Sequence, residues 1–351
     1  MVKKTDKIIV GISVGDINGI GLEVVLKTFE DSRMFDFCTP VLFCQSKIAS
    51  TYKKILGKEN LKLNVINDMS KIAHGKLNVL STSNENVNVE IGKETKEGGK
   101  YAYISLQEAT KALNEKHIDV LITAPINKNT IQSEIFKFKG HTEYLEEMFE
   151  GTSLMILMTD DLKIGLITGH IPISKVAETI TPELIIAKTE VLYHSLQQDF
   201  GILKPKIAVL GLNPHCGDNG VIGDEDSKII RPTLEKIQEQ GKLVYGPYSA
   251  DSFFGSESYK NFDGVLAMYH DQGLAPFKTL SFGNGVNFTA GLNIIRTSPD
   301  HGTAYEIAGK NEANHHSFRE AVFMAIKIHK TRNESLELDK NKLQTTVEAK
   351  N

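Results

Sequence analysis

An α/β fold with largely parallel strands is what this sequence predicts, on three observations. Short apolar runs such as Lys7–Val14, Asp119–Ala124 and Gly264–Tyr269 alternate with longer segments whose apolar residues recur at helical spacing. Glycine-containing turns separate the two kinds of segment, as between Gly15 and Gly21. The 351 residues exceed what one hydrophobic core usually serves, so two domains are expected, divided near residue 130.

Lys7–Val14 reads as a buried strand, and GDINGIG (15–21) turns it into a helix from about Leu22 to Glu30. Such a turn can offer backbone N–H groups to an anion. Its spacing is not G-x-G-x-x-G, no Walker sequence occurs, and tight strand–helix packing accounts for it as well. Pro40–Cys44 is a second strand and Ser46–Leu56 a helix, while the Asn/Ser-rich stretch Leu61–Val89 reads as exposed edge strands and loops. Gly98-Gly99 is expected to break the chain before an amphipathic helix, Tyr101–Glu115. The strand Asp119–Ala124 then runs into PINKNTI, with Asn127 and Lys128.

His141 and Thr142 stand at an expected helix start, Thr142 suited to the N-cap. Ser153–Met158 and Lys163–Thr168 are strands, the second ending at Gly169-His170. Thr181 and Pro182 open a long helix to about Phe200. Lys206–Leu212 is a strand ending in NPHCGDNG, Ile229–Gln240 a helix, and Leu243–Tyr245 a short strand followed by Asp251 in a loop. Gly264–Tyr269 delivers His270 and Asp271 into what reads as a glycine-punctuated loop with Lys278, Asn287 and Arg296. Residues 303–330 form a last helical segment interrupted near Gly309-Lys310-Asn311, and a poorly ordered polar tail is expected from Thr331 to Asn351.

Bulk properties exclude several function classes. Forty per cent apolar and 24% charged residues are ordinary for a globular chain. A formal charge of −4 argues against nucleic acid as a partner, which needs a concentrated basic face. The three cysteines, Cys38, Cys44 and Cys216, form no C-x-x-C pair and suit a reducing compartment. The first apolar run is broken by Gly11, Gly15 and Asp16, unlike a signal peptide, and no run approaches the ~20 residues of a membrane span. A cytoplasmic protein without a membrane partner is expected.

Three histidines carry the chemical signal. His170, His215 and His270 each lie just beyond an apolar strand, spaced by 45 and 55 residues, one or two strand–helix units apart. In doubly wound sheets ligands bind outside the carboxyl ends of the strands, so the three rings can converge there as ligands of a divalent metal. A single histidine at a strand end is more often structural, and His74, His117, His194, His315, His316 and His329 take that reading. Arg296 follows the apolar run Leu292–Ile295, which puts its head at a strand end, and with Lys278, Asn287, His141 and Thr142 it can hold a phosphorylated acid. Asp251 and Asp271 are acid/base or metal-orienting candidates, with turn-capping carboxylates as the alternative. His301 reads as a structural turn residue. This chemistry is a metal-dependent enzyme acting on a small phosphorylated hydroxy compound; dehydrogenase and class II aldolase both fit.

The residues so assembled resemble a known family. GHTEYLE (140–146), GLNPHCGDNG (211–220), AMYHDQGLAPFK (267–278), FGNGVNFTAGL (282–292) and IIRTSPDHGTA (294–304) are similar, in order, to the 4-hydroxythreonine-4-phosphate dehydrogenases of pyridoxal phosphate biosynthesis. The similarity runs from about residue 8 to 328. It departs at the first turn, where the family shows Pro and a small residue after Asp16, and at Gly169 and Ala275. The resemblance implies two α/β/α domains with a cleft between them, isocitrate/isopropylmalate dehydrogenase-like. Residues 1–130 plus about 285–330 would form the first domain, and 131–284 the second. It implies a divalent metal (zinc, magnesium or cobalt) on His170, His215 and His270 at a homodimer interface, ligands coming from both subunits. It implies substrate contacts from His141, Thr142, Lys278, Asn287 and Arg296, and NAD or NADP held without a Rossmann fingerprint. The implied reaction oxidises 4-phosphohydroxy-L-threonine at C3 and decarboxylates the product to 3-amino-2-oxopropyl phosphate. Alternatives are a sister dehydrogenase for 4-phospho-threonate or 4-phospho-erythronate, and a non-catalytic metabolite-binding protein.

Overall fold

The computed structural model describes residues 7–83, 85 and 87–340. Twelve strands form one sheet: β1 (Ile9–Ser13), β2 (Thr39–Phe43), β3 (Leu63–Ile66), β4 (Leu77–Leu80), β5 (Val120–Thr123), β6 (Gly151–Met158), β7 (Lys163–Leu166), β8 (Lys206–Leu210), β9 (Leu243–Tyr248), β10 (Gly264–Ala267), β11 (Val286–Leu292) and β12 (Arg296–Pro299). Their spatial order is β3-β4-β2-β1-β5-β12-β11-β6-β7-β10-β8-β9. Parallel pairing runs from β3 to β12 and again from β7 to β9. Antiparallel pairing of β12, β11, β6 and β7 joins the two blocks. The two parallel blocks therefore run in opposite senses. The expectation of a largely parallel α/β architecture holds, but the ligand-binding edge is not a single row of carboxyl ends.

Parallel strands covered by helices on both faces should read as unbroken apolar runs. β1, β2, β5 and β10 do so: Val10, Ile12, Val41, Leu42, Val120, Ile122, Val265 and Leu266 are essentially inaccessible. β4 departs from the exposed-edge expectation for 61–89, since Leu77 and Val79 are fully buried and only β3 lies outermost. Residues 84 and 86 of that stretch lie outside the described residues.

The Gly98-Gly99 break is overturned. Thr95 caps a helix that starts at Lys96 and runs through both glycines to Asn114, its hydroxyl accepting from the Gly98 amide. The glycines serve close approach: a Cβ on Gly99 would meet the backbone carbonyl of Thr130, and one on Gly98 the Asp16 carboxylate at 2.7 Å. Asp16 is fully buried and accepts from the Asn18 amide and the Tyr305 hydroxyl at 2.9 and 2.8 Å, which ties the first turn to the chain's last third. Burial, opposed by these bonds, raises its pKa.

Two other expectations change. The segment after β10 is a helix, His270–Ser281, with Gly273 pressed against Leu166 and Ala267 of the sheet, so the glycine marks packing and not a loop. The tail from Thr331 is helical as far as Lys340, because Arg332 pairs with buried Asp199 at 2.5 Å and also donates to Ile294 O. Residues 341–351 lie outside the described residues. The break near 309–311 is a clasp: buried Glu23 accepts from the Gly309 and Ala313 amides and from Lys27, which itself donates to Asn311 O. At the centre of the sheet, Gly291 (φ +83) bulges β11 against Gly151 (φ +126) of β6 and shifts the register between Ala290 and Leu292.

Alanine is the better helix former by about 1 kcal/mol, yet Gly99→Ala is expected to destabilise the chain by on the order of 1–3 kcal/mol, because its methyl has no room against Thr130. Denaturant unfolding of the variant checks the sign.

Candidate active site

A cavity of about 520 Å³ lies over the junction of the two parallel blocks. Successive side chains on a strand alternate faces. Ser153, Met155 and Leu157 of β6, Asn287 of β11, Arg296 and Ser298 of β12 and Thr123 at the end of β5 all stand on the face that floors it. The helix His141–Met148 covers one side, its first turn lining the cavity with N–H groups the helix itself does not use. Gly140 is its N-cap, so Thr142 is not the cap but the second helical residue, and it too lines the cavity.

Arg296 begins β12; it does not end a strand as expected, since β11 closes at Leu292 and a short connection intervenes. The guanidinium is buried, and its partners are hydroxyls: Nε and Nη2 donate to Thr123 Oγ1 at 3.0 and 2.6 Å, and Nη1 to Thr289 Oγ1 at 3.1 Å. Among the described residues no carboxylate pairs with it. Desolvation pulls its pKa down to about 9, which still leaves it charged near neutrality. A buried cation held open by hydroxyls, with spare N–H groups facing a cavity, is a seat for an anion.

Three neighbouring polar atoms are buried without a partner: His141 Nε2, Asn287 Oδ1 and His301 Nε2, all on residues lining the same cavity. Burial, reinforced by Arg296 and Lys128, holds the His141 pKa well below its usual value. Lys278 reaches in from its helix and pairs with Asp300 at 3.2 Å, while burial raises the Asp300 pKa despite that lysine. Lys188 also lines the cavity, donating to Ser153 O at 2.7 Å. The expected substrate residues His141, Thr142, Lys278, Asn287 and Arg296 are thus brought together.

The histidine triad is not. β7 and β10 are parallel neighbours, so His170 and His270 beyond their ends meet with ring centroids 5.1 Å apart. Burial, then Lys128 and His270, lowers the His170 pKa, favouring the neutral ring that binds metals. His270 Nδ1 lies 2.7 Å from Asp271 Oδ1, an orienting contact that leaves Nε2 for a ligand. His215, beyond the next strand, β8, is exposed and does not line the cavity. It opens five consecutive residues, His215–Asn219, in left-handed conformation (φ 42–80°). Buried Asp226 holds their approach, accepting from the Leu212 and Asn213 amides at 2.8 and 3.0 Å. Among the described residues, no three His, Cys, Asp or Glu side chains group as a metal site. Within one chain, His170 and His270 come together and His215 stands apart from them.

Asp251 and Asp271 do not line the cavity. Asp251 lies on a short helix, Ala250–Gly255, and not in a loop; its carboxylate accepts from Ser249 Oγ, which lowers its pKa. Sequence reasoning missed Thr123, Lys188 and Asp300, and took His301 for a turn residue. A lysine on an amphipathic helix and a threonine ending an apolar strand carry no distinguishing mark, whereas His301 beside Asp300 did stand out.

Residues 36–325 match the family described as pyridoxal phosphate biosynthetic protein PdxA. The chain is 50% identical over 329 residues to a 4-hydroxythreonine-4-phosphate dehydrogenase of Bacteroides thetaiotaomicron, covering 93% of this chain and 90% of that one. It is 43% identical to a relative of the same name in Sulfurihydrogenibium sp., covering 92% and 98%. The crystal structure of 4-hydroxythreonine-4-phosphate dehydrogenase from Klebsiella pneumoniae superimposes with a TM-score of 0.78 at 31% identity, covering 92% of this chain and 100% of that one.

Replacing Arg296 with Met should weaken binding of inorganic phosphate, titrated by calorimetry, by roughly 10- to 100-fold, the worth of a charged hydrogen-bond set. His141 stays neutral when folded and protonates near pH 6.5 when unfolded, so it favours the unfolded chain as pH falls through that value. His141→Gln should remove part of the acid-side stability loss, by at most about 1.4 kcal/mol per pH unit below 6.5; denaturation of both proteins from pH 7 to 5 measures it.

Proposed function

Because the chain belongs to the PdxA family of pyridoxal phosphate biosynthetic proteins, we propose that it is a 4-hydroxythreonine-4-phosphate dehydrogenase. It oxidises 4-phosphohydroxy-L-threonine at C3, and loss of carbon dioxide from the β-keto acid gives 3-amino-2-oxopropyl phosphate. The observation that carries this reading is the buried guanidinium of Arg296, bonded only to hydroxyls, facing the same cavity as the His170–His270 pair. An anion seat beside a two-imidazole seat suits a phosphorylated hydroxy acid, and it argues against a binding protein without chemistry.

The divalent metal (zinc, magnesium or cobalt) held by His170 and His270, and the bound NAD or NADP, would supply Lewis acidity at the C3 oxygen and a hydride acceptor. The chain's own residues do the rest. Arg296, Lys278, Asn287, His141 and Thr142 bind and orient the anionic groups, so the reacting carbon is held still beside the histidines. Asp271 fixes the ring of His270. The helix His141–Met148 and the sheet face exclude water from that side.

Two imidazoles leave a metal short of protein ligands, and His215 stands exposed on a pre-set turn beside Val221 and Ile222, 82% and 45% exposed. The reading is a homodimer in which His215 of one copy completes the metal site of the other. The division into residues 1–130 with about 285–330, and 131–284, in an isocitrate/isopropylmalate dehydrogenase-like arrangement, goes with it; the antiparallel β11 and β6 mark the junction. A cytoplasmic location fits three free cysteines, and no helix of the described residues is long and apolar enough to cross a membrane.

Incubation with 4-phosphohydroxy-L-threonine, NAD and a divalent metal should form NADH, and none with any metal would sink the proposal. His170→Ala and His215→Ala should each be inactive alone. Mixed and reassembled, they should recover roughly a quarter of wild-type activity, since half the dimers then carry one intact site. No recovery would place all three ligands in one chain.

A further inference from the structure

The cavity holds more charge than an anion seat needs. Besides its cations, three carboxylates line it: Glu143, Glu146 and Asp300. Two are already engaged. Both oxygens of Glu146 accept from Ser153, from its amide at 2.8 Å and its hydroxyl at 2.9 Å. Asp300 is paired with Lys278. Glu143, on the first turn of the helix His141–Met148, is half-buried, and its carboxylate has no hydrogen bond or ion pair among the described residues. It shares the cavity with the histidine pair and with the Arg296 guanidinium. Its Oε2 lies 3.5 Å from where a Cβ on Gly140 would be, and Lys128 Cε 3.8 Å from that point, so the carboxylate lies over the N-terminus of its own helix.

An unpaired carboxylate is an unfavourable neighbour for an anionic substrate unless the substrate brings a cation to it. We propose that Glu143 is the specificity-determining residue that receives the substrate's α-ammonium group, selecting an amino acid over the matching hydroxy acid. The inference rests on the dehydrogenase reading above. The substrate it implies carries its ammonium on the carbon next to the reacting one, inside the cavity that Glu143 lines together with the histidine pair and the guanidinium. A substrate with a hydroxyl in place of the ammonium, such as 4-phospho-threonate, leaves the half-buried Glu143 against neutral oxygen with no charge to balance it.

The test compares wild type, Glu143→Gln and Glu143→Asp on 4-phosphohydroxy-L-threonine and 4-phospho-threonate, with divalent metal and NAD. Glu143→Gln should lower the ratio of the two kcat/KM values, amino over hydroxy acid, by about 10- to 100-fold, chiefly through KM for the amino acid. Glu143→Asp, which keeps the charge, should restore part of the ratio. An equal loss on both substrates would make Glu143 a proton-transfer or structural group and overturn the proposal, as would an unchanged ratio. Wild-type protein that turns over neither acid refutes the dehydrogenase reading instead. The same ratio is then taken from calorimetric affinities, where selective weakening of the amino acid supports the role of Glu143 and uniform weakening overturns it.

Discussion

The structure around this site depends on one constraint: a guanidinium has been taken out of water with no carboxylate bonded to it among the described residues. Three hydroxyl contacts from Thr123 and Thr289 hold Arg296 in a fixed plane and satisfy part of its donors. They do not neutralise it, so the cost of burial is met only when an anion arrives. Neighbouring features follow from that. His141 is kept neutral beside it, and the cavity is left open to an anionic visitor. A carboxylate placed on Arg296 would make a more stable protein and a worse receptor.

The reversal of strand direction at the middle of the sheet supplies the other half of the geometry. Because β12, β11, β6 and β7 alternate, the strand-end residues of one parallel block and those of the other reach the cavity from opposite sides. His170 and His270 arrive from one block, Thr123, Asp300 and His301 from the other, and Arg296 and Asn287 rise from the floor between. A uniformly parallel sheet would leave the metal-type and anion-type groups along one edge; here they enclose a volume.

Much of this was legible in the residues, and the failures have identifiable causes. Apolar runs located the buried strands because burial on both faces leaves no alternation to misread. His170, His270, Lys278, Asn287 and Arg296 could be named because contiguous motifs carried them. What a linear pattern could not convey was which strands are neighbours. His215 looked equivalent to the other two histidines, but β8 lies one strand further from β7 than β10 does, and a left-handed turn carries the ring outward. Gly98-Gly99 and Gly273 read as breaks because glycine is ambiguous between freedom and close approach; only the Thr130 carbonyl and the Leu166 side chain resolve it. Thr123 was invisible because its importance comes from Arg296, a partner far away in sequence, and Thr289 because nothing in its strand marks that contact.

The bulge at Gly291 in β11, facing Gly151 of β6, has a mechanical meaning. The two parallel blocks are joined by hydrogen-bonded strands that cross the cavity floor, so no linker is available to act as a free hinge. The pairing of β12, β11, β6 and β7 therefore fixes how the two blocks sit against each other. Twist concentrates where the ladder is interrupted and neither strand carries a side chain. The cavity floor is thus part of one continuous ladder, and the walls on either side of it are set by strand pairing and not by a tether.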